Sequence, residues 1–161
     1  MQSNKQEFAL TVRAATQSEA AEMSSLAMRS KAHWAYSDEF LEACREELRY
    51  SEAQIDSTIY EFWVCENEGK IAGFYALALL NPEEAELEAL FVEPDMIGVG
   101  IGRALIEHAK KKSAELGTKQ LIIQSGPNAT KFYEAAGGVR TGQRESGSIP
   151  GRLLPIFGIS L

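Results

Sequence analysis

The fold of this chain is decided by residues 86–105, which read ELEALFVEPDMIGVGIGRAL. The first half of this stretch predicts a β-strand, because its apolar residues include Leu87, Leu90 and Val92. Proline has no N–H for a strand ladder, so Pro94 marks the end of this strand.

A glycine-rich loop and a helix are predicted directly after the strand. The loop glycines come at intervals of two, at Gly98, Gly100 and Gly102. The helix has an apolar stripe formed by Ile101, Leu105, Ala109 and Leu116. Glycines let backbone N–H groups approach a ligand, and the first N–H groups of a helix, at the positive end of its dipole, lack partners within it. We therefore expect a phosphate-bearing ligand at Gly98 to Arg103. The alternative is that the glycines only allow tight packing of helix on strand.

Two familiar phosphate motifs do not match this loop. The dinucleotide fingerprint G-x-G-x-x-G requires glycine where Arg103 or Leu105 stands. A P-loop requires Gly-Lys-Ser/Thr, which Ile101-Gly102-Arg103 does not supply. The stretch instead resembles motif A of the GNAT superfamily of N-acetyltransferases, with Leu-x-x-Leu-x-Val-x-Pro followed by Gln/Arg-x-x-Gly-x-Gly/Ala. The sequence departs from that motif at Ile97, where the family has Gln or Arg.

Size and charge restrict the function classes. The chain has 161 residues and a formal net charge of −7, so we expect one domain over residues 1–161 and no nucleic-acid partner. The acidic balance permits cationic acceptors such as amines. The polar start of the chain is not a signal peptide, and no apolar run approaches the ~18–20 residues of a membrane span. Cys44 and Cys65 lack metal or redox spacing, so we expect buried free thiols in a cytoplasmic protein without a metal site.

The order of predicted elements is β-α-α-β-β-β-α-β-α-β-β, which is also the order of the GNAT fold. We expect an α/β (α+β) fold with a mixed, mostly antiparallel sheet of about six or seven strands flanked by about four helices. Local signals support this order: a first strand over Phe8–Ala15, a capping box at Thr16–Glu19, a helix cap at Ser37 or Asp38, another cap at Ser51–Gln54, and closing strands over 139–143 and 153–161.

A second motif lies at Asn128–Gly138, which reads NATKFYEAAGG. It resembles GNAT motif B, Asn-Ala-x-x-Phe-Tyr-Glu-x-x-Gly. Asn128 is also a good helix N-cap, and Phe132 and Tyr133 would also suit a core. Occurring after a phosphate loop, the motif favours the functional reading.

The resemblance implies acetyl-coenzyme A as cosubstrate. It implies that the Leu90 N–H bonds the thioester carbonyl, that Val92 pairs with the pantetheine amides, and that Asn128 reaches the pantetheine arm. The implied cofactor-binding set is Leu90, Phe91, Val92, Ile97, Gly98, Val99, Gly100, Ile101, Gly102, Arg103, Asn128, Phe132 and Tyr133.

The resemblance also implies acyl transfer to an amine. An alkylamine with a pKa near ~10.4 is mostly protonated at neutral pH and needs a base. Tyr133 matches the family's general-acid tyrosine by position. Glu86 occupies the position of a catalytic glutamate in some members and is the preferred base. Glu88 is then a substrate contact or the alternative base, and either glutamate could be an ordinary strand charge.

The acceptor side is less specific. In this fold the region after the first helix and the last hairpin wall the acceptor pocket, so His33, Trp34 and Tyr36 are candidates, with plain packing as the alternative. Loop 142–152 could be a lid, a dimer contact or a surface hairpin. The expected acceptor is a small-molecule or peptide amine, and a homodimer is suggested by analogy. Two further readings are a coenzyme A-binding sensor or scaffold without transfer, and an unrelated nucleotide-binding regulatory protein.

Overall fold

Seven strands and five α-helices follow one another in the computed structural model, which describes residues 10–34, 36–147 and 149–161. The strands are β1 (Leu10–Ala14), β2 (Tyr60–Asn67), β3 (Lys70–Asn81), β4 (Glu84–Val92), β5 (Gln120–Gln124), β6 (Val139–Glu145) and β7 (Leu153–Ser160). The helices are α1 (Ala20–Ala32), α2 (Asp38–Cys44), α3 (Glu52–Asp56), α4 (Ile101–Glu115) and α5 (Thr130–Ala135). Short 3-10 helices occupy Gln17–Glu19 and Pro94–Met96. Phe8, expected in the first strand, lies outside the described residues.

All seven strands form one sheet in the order β1-β2-β3-β4-β5-β7-β6. Only β4 and β5 pair in parallel, whereas the other neighbouring strands are antiparallel. The expected mixed, mostly antiparallel sheet is confirmed. The connection between these two parallel strands must cross over the sheet, and α4 forms this crossover. Helix α4 therefore begins near the end of β4.

Helices cover both faces of this sheet. On one face, α4 buries Ile101, Leu105, Ile106 and Ala109 against β3, β4 and β5. On the other face, α1 buries Met23, Leu26 and Ala27 against β2 and β3, together with Cys44 at the end of α2. Burial of such side chains stabilises each face by roughly 25 cal/mol per Å² of apolar surface. Both cysteines are free and buried, as expected.

Three predicted helix starts are confirmed by their hydrogen bonds. Ser37 Oγ accepts from the Phe40 N–H at 3.1 Å. Ser51 and Gln54 bond reciprocally at 2.8 and 3.1 Å. The Thr16 N–H donates to Glu19 Oε1 at 2.8 Å, and this box opens the 3-10 turn that leads into α1.

Three local expectations need correction. Leu116 does not continue the apolar stripe, because it follows the last residue of α4 and is 43% exposed. Its place in the core is taken by Ser113, whose hydroxyl donates to the Ala109 carbonyl at 2.8 Å. Asn128 does not cap α5, which begins two residues later with Ala129 as its N-cap. Residues 142–145 of the predicted loop belong to strand β6.

A β-bulge in β4 changes which face of the sheet its residues occupy. Ala76 of β3 pairs with Ala89, whereas its neighbour Leu77 pairs with Leu87, so Glu88 is an extra residue. Before the bulge Leu87 faces the α4 side, and after it Leu90 does so. The bulge therefore shifts the alternation beyond Glu88, so that Ala89 and Phe91 face the α1 side, while the side chains of Glu86 and Glu88 remain neighbours.

Candidate active site

A gap opens between β4 and β5 beyond the bulge. Their pairing ends at Leu87 and Ile123, although β4 continues to Val92 beside β3. The Glu93 N–H donates to the Ala72 carbonyl of β3 at 2.8 Å. Since bonding alternates along an antiparallel ladder, the backbone groups of Leu90 and Val92 point away from β3 and into the gap. These groups need partners from a ligand or from water.

A cleft of about 540 Å³ lies at this gap. Its walls come from α1 and the segment after it, from residues 47–54, from β4, from the start of α5, and from the β6–β7 connection. The expected site residues that line it are Trp34, Tyr36, Glu86, Glu88, Leu90, Phe91, Asn128 and Tyr133. The structure therefore brings together the proposed acid, both candidate bases and part of the cofactor set.

Tyr133 lies in the wall formed by α5. The residue is 7% exposed, and its ring meets the ring of Phe132 edge-on at 5.1 Å between centroids. Its hydroxyl makes no hydrogen bond with the described part of the chain. Burial raises the pKa of Tyr133, so the phenol stays protonated at neutral pH. It is a proton donor without an acceptor among the residues that the structure describes.

Glu86 is already engaged. Its carboxylate accepts from Arg144 Nη1 of β6 at 3.1 Å, and only 12% of the Glu86 side chain is exposed. Arg144 also reaches Gln124 Oε1 at 3.5 Å. The ion pair with Arg144 therefore occupies the Glu86 carboxylate.

Glu88 has a different environment. It makes no ion pair with any described residue. Although Glu88 is exposed by area, the cleft walls take water away from its carboxyl group. This partial burial, together with the negative charge of Glu86, raises the pKa of Glu88 to about 7. A carboxyl group with that pKa exchanges protons near neutral pH.

The glycine loop has the properties of an anion site. Gly98 and Gly100 have φ values of 93° and 97°, which suit glycine and turn the backbone into α4. The first helical bond runs from the Ala104 N–H to the Gly100 carbonyl. Within the described residues, five backbone N–H groups in this loop are without an acceptor: those of Gly98, Gly100, Ile101, Gly102 and Arg103.

Other loop residues contribute less than expected. The N–H groups of Ile97 and Val99 are used within the turn, where they donate to Pro94 and Met96 at 3.4 Å. The Ile97 side chain is 45% exposed. The Ile101 side chain is buried in the core, so only its backbone faces a ligand. Arg103 is exposed beside the loop.

Gly102 connects the loop to the gap. A Cβ atom at this position would lie 3.1 Å from the Phe132 ring and 3.7 Å from Val92 Cγ2. The start of α4 therefore lies directly against the end of β4 and the start of α5. The free N–H groups of the loop and the open edge of β4 form one continuous track, as an extended phosphate-bearing ligand requires.

The acceptor side is only partly as expected. Trp34 and Tyr36 line the cleft, and Tyr36 accepts a hydrogen bond from Asn128 Nδ2 at 3.1 Å. His33 is exposed and packs edge-on against Trp34 at 4.8 Å without lining the cleft. Sequence reasoning missed Lys31, Glu47 and Tyr50 in the cleft, and it included Arg144 and Arg152 only as members of loop 142–152, without a role of their own. They lie outside both motifs, and only their polarity could have pointed to them.

The described residues contain neither a metal-binding cluster nor a membrane-spanning helix. No group of three or more His, Cys, Asp or Glu side chains in residues 10–34, 36–147 and 149–161 is arranged to hold a metal ion. Over the same ranges, no helix is both long and apolar enough to span a membrane.

Comparison with known families gives one match that covers most of the chain. The model of the family described as "Acetyltransferase (GNAT) domain" matches residues 12–147. This range contains the gap, the glycine loop and Tyr133. Both motifs therefore fall within the matched region.

Individual relatives and structures agree with this match. The peptidyl-lysine N-acetyltransferase YjaB of Escherichia coli strain K12 is 32% identical over 99 residues, which are 61% of this chain and 62% of that protein. The chain thus matches less than two thirds of this relative's length. A GCN5-related N-acetyltransferase from Rhodopseudomonas palustris has a TM-score of 0.79 at 22% identity, covering 98% of this chain and 100% of that chain. The PaiA N-acetyltransferase from Thermoplasma acidophilum, in complex with coenzyme A, has a TM-score of 0.78 at 19% identity, covering 95% and 99%. These structural likenesses establish the fold.

Proposed function

Because this chain belongs to the GNAT acetyltransferase family, we propose that it transfers the acetyl group of acetyl-coenzyme A to a primary amine. The observation that carries the proposal is the gap between β4 and β5, where Glu88 and Tyr133 line one cleft. A base and an acid at one opening are what amine acetylation requires. The acceptor is a small-molecule or peptide amine.

The cosubstrate fits the track described above. The five free N–H groups at Gly98–Arg103 would hold the pyrophosphate. The backbone of Val92 would pair with the pantetheine amides, and the Leu90 N–H would donate to the thioester carbonyl. Phe91, Asn128 and Phe132 would complete the walls. That the related fold from Thermoplasma acidophilum holds coenzyme A supports this assignment.

The base in this proposal is Glu88 rather than Glu86. A protonated alkylamine must lose a proton before it attacks a carbonyl carbon. Glu88, with a pKa of about 7 and no ion pair, can take that proton directly or through a water molecule. Glu86 is held by Arg144 and contributes by raising the pKa of Glu88.

Tyr133 serves as the acid. When the new C–N bond forms, the C–S bond breaks and the electron pair leaves with sulfur as a thiolate. The Tyr133 hydroxyl, protonated and facing the cleft, supplies the proton that makes this thiolate a thiol. After attack the new C–N nitrogen carries one proton too many and loses it to water, which gives the neutral amide. Tyr133 regains its proton from solvent, to which Glu88 also returns the proton it took, so one proton is released in each turnover.

The alternative is a coenzyme A-binding sensor or scaffold that performs no transfer. The observation in its favour is Ile97, which gives the pyrophosphate no polar side chain. Release of free coenzyme A separates the two readings. Purified protein is incubated with acetyl-coenzyme A and a panel of amines, and free thiol is followed over time. Amine-dependent release supports the transferase, whereas tight binding without release under any amine supports the sensor.

A further inference from the structure

Two cations share one aromatic pair at the rim of the cleft. The rings of Tyr36 and Phe40 are stacked with centroids 4.1 Å apart. Lys31 Nζ lies 5.7 Å from each of these ring centroids. The Arg152 guanidinium carbon lies 4.6 Å from the Phe40 centroid and 5.7 Å from the Tyr36 centroid. The two positive charges are therefore held close together by the same pair of rings.

Neither cation has an anionic partner in the described part of the chain. All nine ion pairs between described residues leave out both Lys31 and Arg152. By contrast, Arg144 in the same cleft is neutralised by Glu86. Burial, followed by the nearby charge of Arg152, acts to lower the pKa of Lys31. Two like charges in a partly dry site are unfavourable unless an anion joins them.

Lys31 lies in the same cleft as the proposed base, and Arg152 is held at the rim of that cleft against the Tyr36 ring, which lines it. Lys31 and Glu88 both line the cleft together with Glu47, whose negative charge acts to raise the pKa of each. The cleft thus contains a cation, Lys31, and a carboxylate, Glu88, that form no ion pair with a described residue. A ligand that lies across it would carry the complementary pair.

We propose that the acceptor is a small amine that also carries a carboxylate, with the amine at Glu88 and the carboxylate at Lys31 and Arg152. This inference rests on the proposed acetyltransferase function and specifies its substrate class. Lys31 and Arg152 select the acceptor and take no part in proton transfer.

Binding provides a test that does not depend on catalysis. Protein saturated with coenzyme A, which carries no acetyl group, is titrated calorimetrically with matched ligands. The probes are glycine, β-alanine, γ-aminobutyrate and L-phenylalanine, each beside its neutral carboxamide, and a lysine peptide with neutral ends. We expect at least one aminocarboxylate to bind about tenfold or more tightly than its amide, which is the scale of one hydrogen bond to a charged group.

Variants assign that preference to the cations. Lys31→Met is expected to remove most of it, and Arg152→Gln to weaken it. Lys31→Arg should retain it, because the charge remains. Lys70→Met is the matched control, since Lys70 is an exposed lysine at the start of β3 and does not line the cleft. The variants' far-ultraviolet circular dichroism must match wild type, and Lys31→Arg keeps the test informative if Lys31→Met does not fold.

The outcomes separate this inference from the proposed function. Four results would each overturn the inference. They are equal affinity for acids and amides, a preference that survives Lys31→Met, tighter binding of the neutral peptide, and no binding of any probe. Amine-dependent release of coenzyme A in those cases would leave the acetyltransferase intact. Lys31-dependent binding of an aminocarboxylate without any release would instead sustain the inference and refute transfer.

Discussion

The Glu86 carboxylate accepts a hydrogen bond from Arg144 Nη1 at 3.1 Å, across 58 positions of the sequence. Two glutamates of β4 line the cleft, Glu86 and Glu88. Because Arg144 pairs with Glu86, Glu88 at the bulge is the one that forms no ion pair with a described residue. This ion pair divides two similar carboxylates into one that is engaged in an ion pair and one that titrates near neutrality. Their substitution should therefore have different effects.

The first prediction concerns pH dependence. In wild type, kcat/KM should rise with pH through about 7, because Glu88 accepts a proton only after it has lost its own. Glu88→Gln should remove this rising limb of the pH–rate profile and lower kcat/KM by about 10²-fold or more. Glu86→Gln should keep the limb but move it to lower pH, because the charge that raises the pKa of Glu88 is gone. Initial-rate profiles from pH ~5.5 to ~9 provide the measurement. Loss of the limb in Glu86→Gln alone would identify Glu86 as the base.

Tyr133→Phe should separate chemistry from binding. The substitution removes the hydroxyl that donates to the departing thiolate and keeps the buried ring. We expect kcat to fall by about 10²-fold while the Kd for acetyl-coenzyme A stays within about twofold of wild type. Tyr75→Phe is the matched control. Tyr75 is also buried, its hydroxyl forms a 2.8 Å hydrogen bond with His108 Nδ1, and it does not line the cleft. An unchanged kcat in Tyr133→Phe would remove this residue from the mechanism.

Stability should depend on pH through Glu19. Hydrogen bonds from Arg13 at 2.6 and 3.0 Å lower the pKa of Glu19 from 4.5 to about 2. A lowered pKa means that the contribution is complete above pH 4.5 and is lost as the pH falls through 2. After allowance for solvent screening, Glu19→Gln should reduce the free energy of unfolding by about 1–2 kcal/mol at neutral pH.

The Glu19 effect is measured by urea unfolding at several pH values. The difference between wild type and Glu19→Gln should shrink as the pH falls from 4.5 towards 2. Glu134→Gln is the control, because Glu134 is exposed and forms no ion pair with a described residue. A difference that stays constant with pH would show that Arg13 does not hold the Glu19 charge.

Sequence reasoning was most successful where the signal is local. The β4 strand, the glycine loop and α4 were predicted because alternation, glycines and a helical stripe lie within a few residues of one another. The caps at Ser37 and Ser51 depend on three-residue spacings and were likewise predictable. The last residue of the apolar stripe on α4 was not predictable from such local signals. Helix α4 ends at Glu115, so Leu116 lies beyond the stripe.

The different roles of the charged residues in and beside the cleft could not be predicted from local sequence signals. The ion pair between Glu86 and Arg144 joins two strands that are not neighbours in the sheet order. The position of Glu88 depends on one extra residue in the ladder, which alternation alone does not reveal. Lys31 and Arg152 are brought to the same rings only by the folded chain. Such contacts are set by tertiary packing.

The central claim is that the glycine loop and the open edge of β4 bind acetyl-coenzyme A, and calorimetric titration of the purified protein tests it most directly. Gly102→Leu would force a side chain against Phe132, where a Cβ already lies at 3.1 Å. Gly142→Leu places the same side chain in open space on β6 and is the control. We predict one-to-one binding to wild type and to Gly142→Leu, weakened at least about tenfold in Gly102→Leu. Absence of binding to wild type at millimolar ligand, or equal affinity in all three proteins, would contradict the claim.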